Sequence, residues 1–256
     1  MDGTVRAHNE HGITTIEFHH PQSNSLPSKI LDELSHEIHF AGTHHETKLI
    51  IIRSVGDNVF CAGASFDELS AITDEAGGKK FFTGFAKVIN AIRKCNKLVI
   101  GRIHGKCIGG GVGLAAACDY AIATNNAEIK LSELSIGIGP FVVGPAIERK
   151  IGLSAFSQLA IDSSLWRSAD WAKRKGLFAE VHEGIGNMDE SIFRLSNALV
   201  HYNPEAMQQL KNMFWKNTEN WDALLEERAK ITGKLVLSNH TKTAIEKFKI
   251  AKVKKR

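Results

Sequence analysis

A buried-looking run, Leu98-Val99-Ile100-Gly101-Arg102-Ile103, leads into three consecutive glycines, Gly109-Gly110-Gly111, and then into the alanine-rich stretch Ala115-Ala116-Ala117. A strand, a glycine turn and a helix in that order constrain the chain to layered α/β architecture. The glycines also leave unhindered backbone N–H groups at a helix N-terminus, where the macrodipole favours negative charge. Such a place suits an oxygen that gains charge during a reaction. A tight turn for close helix packing is the plainer use of the same residues. Nucleotide-phosphate motifs fail on spacing: Gly101 and Gly105-Lys106 lie one residue too close for GxxxxGK[ST], and no GxGxxG follows a strand.

The surrounding chain extends the βαβ rhythm. Ile13–Phe18 and Leu49–Arg53 read as strands, separated by a helix from Ser28 to Phe40 whose Ile30, Leu31, Leu34 and Ile38 recur at helical spacing. A second helix is predicted from Lys80 to Arg93, a strand from Tyr120 to Thr124, a short alternating strand over Glu128–Leu131, and a helix from Val142 to Ile151. From Met188 onward the pattern is wholly helical. Asn203-Pro204-Glu205 is a capped start with proline at the first helical position, and Asn239 or Thr241 is positioned to cap the last helix. This divides the chain into a core, residues 1–200, and a helical region, residues 201–256.

Composition excludes several classes. With 256 residues, 43% apolar and 23% charged, the chain is an ordinary globular sequence, neither disordered nor a small disulfide scaffold. A net charge of +4 without a basic stripe does not indicate nucleic acid. Cys61, Cys95, Cys107 and Cys118 form no CxxC pair and no zinc spacing, so they read as reduced, buried thiols. No apolar segment matches a signal peptide or a membrane span, which makes the cytoplasm the expected compartment. The histidines, among them His36, His39, His44 and His45, lack a ligand constellation, and no metal is expected. His104 reads as a satisfied core histidine, and Asp119 as a backbone-bonding turn residue. Trp215, Trp221 and Phe214 form an aromatic stripe of the kind used for packing or subunit contact.

Two further segments bear on chemistry. Phe60-Cys61-Ala62-Gly63-Ala64-Ser65-Phe66 is a run of small residues that brings backbone N–H groups close to a ligand, and Ser132-Glu133-Leu134 sets a carboxylate just past a strand. Two N–H donors converging on one oxygen make an oxyanion hole.

Taken together, Ile103-His104-Gly105-Lys106-Cys107-Ile108-Gly109-Gly110-Gly111-Val112-Gly113-Leu114, Ala117-Cys118-Asp119, Ser132-Glu133-Leu134 with Gly137, and Phe60–Ala64 resemble the enoyl-CoA hydratase/isomerase (crotonase) family over nearly the whole chain. His19-His20-Pro21 to Leu26 is similar to the family's entry loop. The resemblance implies a spiral of ββα turns, a C-terminal helical region that makes a trimer or a dimer of trimers, and an acyl-CoA thioester as substrate, with coenzyme A part of the substrate and no separate cofactor. It assigns the oxyanion hole to the N–H groups of Ala64 and Gly110 and proton transfer to Glu133. Substrate contacts carry over to Ser25, Ala62, Ser65, Phe66, Ile108, Gly109 and Phe141. Lys249, in the basic C-terminal tail, is a candidate for the CoA phosphates.

Departures from the family pattern matter as much. Two-glutamate hydratases carry their first glutamate where Gly113 stands, leaving Glu133 as the single acid–base group. Ser65 replaces an aspartate, and Gly139-Pro140-Phe141 replaces a glycine-rich run. The GGGVGL form resembles the bacterial branch labelled methylglutaconyl-CoA hydratase. The reading is therefore hydration of a 2-enoyl-CoA. A 3-enoyl to 2-enoyl isomerase using the same glutamate, and a binding protein that has lost the chemistry, are its alternatives.

Overall fold

The structure is a computed structural model. It describes the backbone of residues 3–253 and the side chains of residues 3–247. The chain opens with β1 (Thr4–Glu10) and β2 (Ile13–His19), an antiparallel hairpin turned by His11 and Gly12, both at positive φ. β2 alternates buried and half-buried residues, as a strand with one face on the core should. α1 (Ser28–Thr43) follows and buries Ile30, Leu31, Leu34 and Ile38, the stripe visible in the sequence.

Three turns of a spiral come next, each placing one strand in a large sheet and one in a small sheet. The first comprises β3 (Leu49–Ser54), β4 (Val59–Cys61), α2 (Phe66–Ala71) and α3 (Glu75–Lys94). The second is β5 (Leu98–Ile103), β6 (Lys106–Ile108) and α4 (Gly110–Ala117). The third is β7 (Tyr120–Thr124), β8 (Ile129–Lys130), a 3-10 turn over Leu134–Ile136 and α5 (Gly144–Ile161). α6 (Ala169–Arg174) and β9 (Glu180–His182) complete the large sheet, whose order is β1-β2-β3-β5-β7-β9, parallel from β2 onward; β4-β6-β8 form the small parallel sheet. Parallel strands need crossovers, and the helices supply them. This is the spiral of ββα repeats that the family resemblance implies.

α4 is buried on every side and built from glycine, alanine, valine and leucine, so it can thread the middle of the spiral. α5 is helical on both sides of a break at Gly152 (φ 74°), and the break falls beside Ile151, where the sequence pattern ends its helix. α7 (Gly184–Leu199) covers the outer face of the large sheet through Met188 and Ile192.

The C-terminal helices α8 (Pro204–Phe214), α9 (Trp221–Leu235) and α10 (Asn239–Val253) fold back on this core. Asn203 caps α8, accepting from the N–H groups of Glu205 and Ala206. The cap of α10 is Ser238 instead of Asn239 or Thr241: its Oγ accepts from Thr241 N at 3.2 Å. Trp215 and Trp221 differ from a subunit-contact stripe, because both are buried and packed edge to face inside the protomer, while Phe214 is exposed. Their packing is fixed by Asp119. Its carboxylate accepts from Trp215 Nε1 at 2.8 Å and from Val99 N at 2.8 Å, and pairs with Lys211 Nζ at 2.9 Å. Lys211 Nζ also donates to Lys97 O. Asp119 is thus the backbone-bonding residue expected, and also the anchor of α8.

All four cysteines are free and buried. Burial pushes the Cys61 and Cys118 thiols up to about 12, which makes them poor nucleophiles. His104 is buried, as expected of a core histidine; its ring has no side-chain partner among the described residues, and burial together with Arg102 lowers it to about 4 against a backbone contact with Val59. Among the described residues no helix is long and apolar enough to cross a membrane, and no cluster of metal-ligating side chains occurs.

Candidate active site

The ends of the small-sheet strands converge on one cleft. β4 runs into Ala62, Gly63 and Ala64; β6 runs into Gly109 and Gly110 at the start of α4; β8 runs into Ser132 and Glu133. The three strands are in parallel register, so their C-terminal ends lie side by side, where ligands bind in open α/β sheets.

Two backbone N–H groups face this cleft unpaired. Leu26 forms a parallel bridge to Ala64, in which Leu26 N donates to Gly63 O and Ser65 N donates to Leu26 O. That pairing uses the neighbours of Ala64 and leaves its own N–H on the opposite edge, toward the cleft. Gly110 is the first residue of α4, so its N–H has no intrahelical acceptor. Among the described residues neither N–H has an acceptor. The two segments touch: a Cβ on Gly63 would lie 2.6 Å from Ile108 O and 3.2 Å from Gly110 N.

Glu133 closes the third side. Its carboxylate lies against Gly109, where an added Cβ would stand 2.7 Å from Oε1, and Gly109 holds φ at 52°. Glycine meets both demands. Glu133 Oε2 is sealed from solvent with no hydrogen-bond partner among the described residues. Burial raises this carboxyl to about 7, so at neutral pH it exists in both protonation states. No other titratable side chain lines the cleft among the described residues.

The remaining wall is apolar apart from Ser132 and Thr232. Phe82 and Phe85 come from α3, Ile138, Pro140, Phe141, Val142 and Val143 from the segment leading to α5, and Thr232 from α9. A Cβ on Gly110 would run into the Phe85 ring. Gly113, one turn into α4, has Val143 against it: a Cβ there would meet Val143 Cγ1 at 2.5 Å. The space that a larger residue at 113 would need is filled by valine.

Of the residues singled out in the sequence, Ala62, Ala64, Phe66, Ile108, Gly109, Gly110, Glu133 and Phe141 line the cleft. Ser25 and Ser65 do not. Ser25 Oγ pairs with His20 Nδ1 at 2.9 Å, and Ser65 caps α2, accepting from Glu68 N. The Lys249 side chain lies outside the described residues. Sequence reasoning missed Phe85, Val143 and Thr232. Phe85 and Thr232 approach from distant helices and carry no local signal; Val143 was detectable only as the bulk that answers a glycine.

Comparison with known proteins agrees with this architecture. The family profile of enoyl-CoA hydratase/isomerase matches residues 8–252. The chain is 27% identical over 238 residues to the probable enoyl-CoA hydratase of Bacillus subtilis (strain 168), covering 92% of each protein. It is 28% identical over 251 residues to the short-chain-enoyl-CoA hydratase of Clostridium acetobutylicum, covering 95% of each. Over 161 residues it is 32% identical to the mitochondrial methylglutaconyl-CoA hydratase of Homo sapiens, covering 62% of this chain and 47% of that one. The crystal structure of enoyl-CoA hydratase from Bacillus halodurans superposes with a TM-score of 0.87 at 20% identity, over 95% of this chain and 99% of that one. With its spiral, its cleft at the small-sheet ends and its match over residues 8–252, the chain belongs to the enoyl-CoA hydratase/isomerase family.

Proposed function

We propose that the protein adds water to a 2-enoyl-CoA thioester, with Glu133 as its single acid–base group and the N–H groups of Ala64 and Gly110 as the oxyanion hole. The observation that carries this reading is a lone buried carboxyl, held near neutrality, beside two unpaired N–H groups. The hydratase names of the relatives in Bacillus subtilis and Clostridium acetobutylicum support it.

The thioester oxygen accepts from both N–H groups, which polarises the conjugated system and makes the β-carbon electrophilic. Ionised Glu133 takes a proton from water as the water oxygen bonds to the β-carbon. The electron pair of the double bond moves toward the thioester oxygen, giving an enolate held in the hole. Glu133, now protonated, returns that proton to the α-carbon, and the enolate collapses to the 3-hydroxyacyl thioester. One group serves as base and then acid, which requires a pKa near the working pH. Each donor of such a hole is worth roughly 2.7–4 kcal/mol. The apolar wall excludes bulk water and strengthens those bonds.

A second reading has its own observation. Val143 occupies the space beside Gly113, so the wall there offers no polar group to hold a water. Shuttling a proton between the α and γ carbons of a 3-enoyl-CoA needs Glu133 alone.

Ultraviolet absorbance of the conjugated enoyl thioester tests both. Purified protein receives 2-enoyl, 3-methylglutaconyl and 3-enoyl CoA thioesters in parallel; the methylglutaconyl ester is included for the human relative's name. A falling band with a 2-enoyl substrate supports hydration, and a rising band restricted to the 3-enoyl substrate supports isomerisation. No change with any of them, together with CoA-thioester binding, makes the protein a binder without turnover.

Assembly into a homotrimer or a dimer of trimers belongs to the same proposal, supported by Leu210, Met213 and Phe214 exposed along α8. Light scattering on the eluted protein reads it directly; a monomer at micromolar concentration would remove it.

A further inference from the structure

The turn that carries Glu133 meets the core through Ile136 and Ile138. Its main chain closes on itself, with Ile136 N and Ile138 N both donating to Glu133 O and Gly137 N donating to Leu134 O. Leu134 and Ser135 are exposed. What lies on its far side is α10, which packs on both this turn and α2, the helix that follows Ala64. The turn is fastened to α10 by a hydrogen bond in which Thr241 Oγ1 donates to Gly137 O at 3.1 Å. Thr241 is fully buried, and its hydroxyl is itself oriented by Ser238 Oγ at 3.0 Å. Gly137 fits the fastening closely. It holds φ at 83°, and a Cβ there would stand 2.6 Å from Thr241 Oγ1 and 2.7 Å from His240 Cδ2.

We infer that Thr241 is a positioning residue for Glu133, its hydroxyl bond to Gly137 holding the Glu133 turn against Gly109 and the cleft. The inference rests on the acid–base role proposed for Glu133. Its physical basis is leverage: a reacting group displaced by about 1 Å by a remote change can lose about 10²-fold in rate. Among the described residues, no titratable group faces Glu133 from within the cleft; His240 beside Gly137 and Lys247 farther along α10 are the ones that face its turn. Loosening the turn therefore acts on Glu133 through water entry, which relieves the burial that raises its carboxyl.

The test compares Thr241→Val, which keeps the shape and removes the hydroxyl, with Thr241→Ser, which keeps the hydroxyl. Gly137→Ala attacks the same contact from the turn side. Two readouts are taken on the full chain. The first is the carboxyl carbon titration of labelled glutamate by NMR, with the Glu133 signal assigned by its loss in Glu133→Gln. The second is kcat and KM on the best thioester. The expected result is a Glu133 midpoint near 7 in wild type and Thr241→Ser. In Thr241→Val and Gly137→Ala the midpoint falls toward the ordinary carboxylate range, kcat drops about 10- to 100-fold and KM changes less than about threefold. A folded Thr241→Val or Gly137→Ala with the wild-type midpoint and rate would overturn the inference. Undiminished turnover in Glu133→Gln would instead remove the acid–base role, and the titration would still decide whether Thr241 positions the carboxyl.

Discussion

Glu133 and Gly113 are the residues on which the chemistry turns, and each makes a measurable prediction. Burial raises the Glu133 carboxyl from 4.5 to about 7, so the base form appears as pH rises through neutrality. The proposed hydration therefore predicts a kcat/KM that climbs through about pH 7 and levels above it. A flat profile between pH 5 and 9 would contradict it. The same shift has a cost in stability. Above pH 7 the buried charge opposes folding, the penalty fades as pH falls toward 4.5, and below that both states are protonated. Glu133→Gln is expected to be more stable than wild type at pH 8, on the order of 2–3 kcal/mol, and equal to it at pH 4. Urea denaturation at the two pH values checks this. At Gly113 the prediction is steric: Gly113→Ala meets Val143 and should cost about 1–3 kcal/mol, most of it recovered in a Val143→Ala background. Additive penalties in that double-mutant cycle would show the two residues are not in contact.

At the scale of elements, what the sequence reveals depends on length and periodicity. α1 and α3 were legible because four or more apolar residues recur at helical spacing, and β5 and β7 because apolar runs end in punctuation. β4 and β6 are three residues each, too short for any period, so two of the three small-sheet strands left no pattern of their own, while β8 falls within the alternating run Glu128–Leu131. The cleft was readable instead through its motifs, Ala62–Ala64, Gly109–Gly110 and Glu133, which stand at those strand ends. Partners that arrive from elsewhere were not readable: Val143, Phe85 and Thr232 reach the cleft by tertiary packing alone. The anchor of α8 was half visible. Asp119 was recognisable as a turn carboxylate, yet nothing local announces Lys211 across more than ninety residues. Both are almost wholly buried, with side-chain exposures of 2% for Lys211 and 4% for Asp119. Removing one partner strands the other, so Lys211→Met should cost about 3–5 kcal/mol and release Trp215. Calorimetry and tryptophan fluorescence would register both; a melting temperature unchanged by the substitution would refute the anchor.

Across the whole molecule, the spiral gathers three strand ends into one place and the C-terminal helices close back over it. α9 supplies Thr232 to the wall, and α10 braces the turn that bears the carboxylate. Helices α9 and α10 therefore form part of the cleft's support as well as an outer layer. The molecule concentrates its polar chemistry in one carboxyl and two backbone donors, surrounded by apolar side chains. The most direct measurement is turnover by Glu133→Gln beside wild type, with acyl-CoA affinity measured on both. Affinity is expected to stay within about threefold while turnover falls by about 10²–10⁴-fold, the contribution of a general acid–base group. Turnover within tenfold of wild type would contradict it.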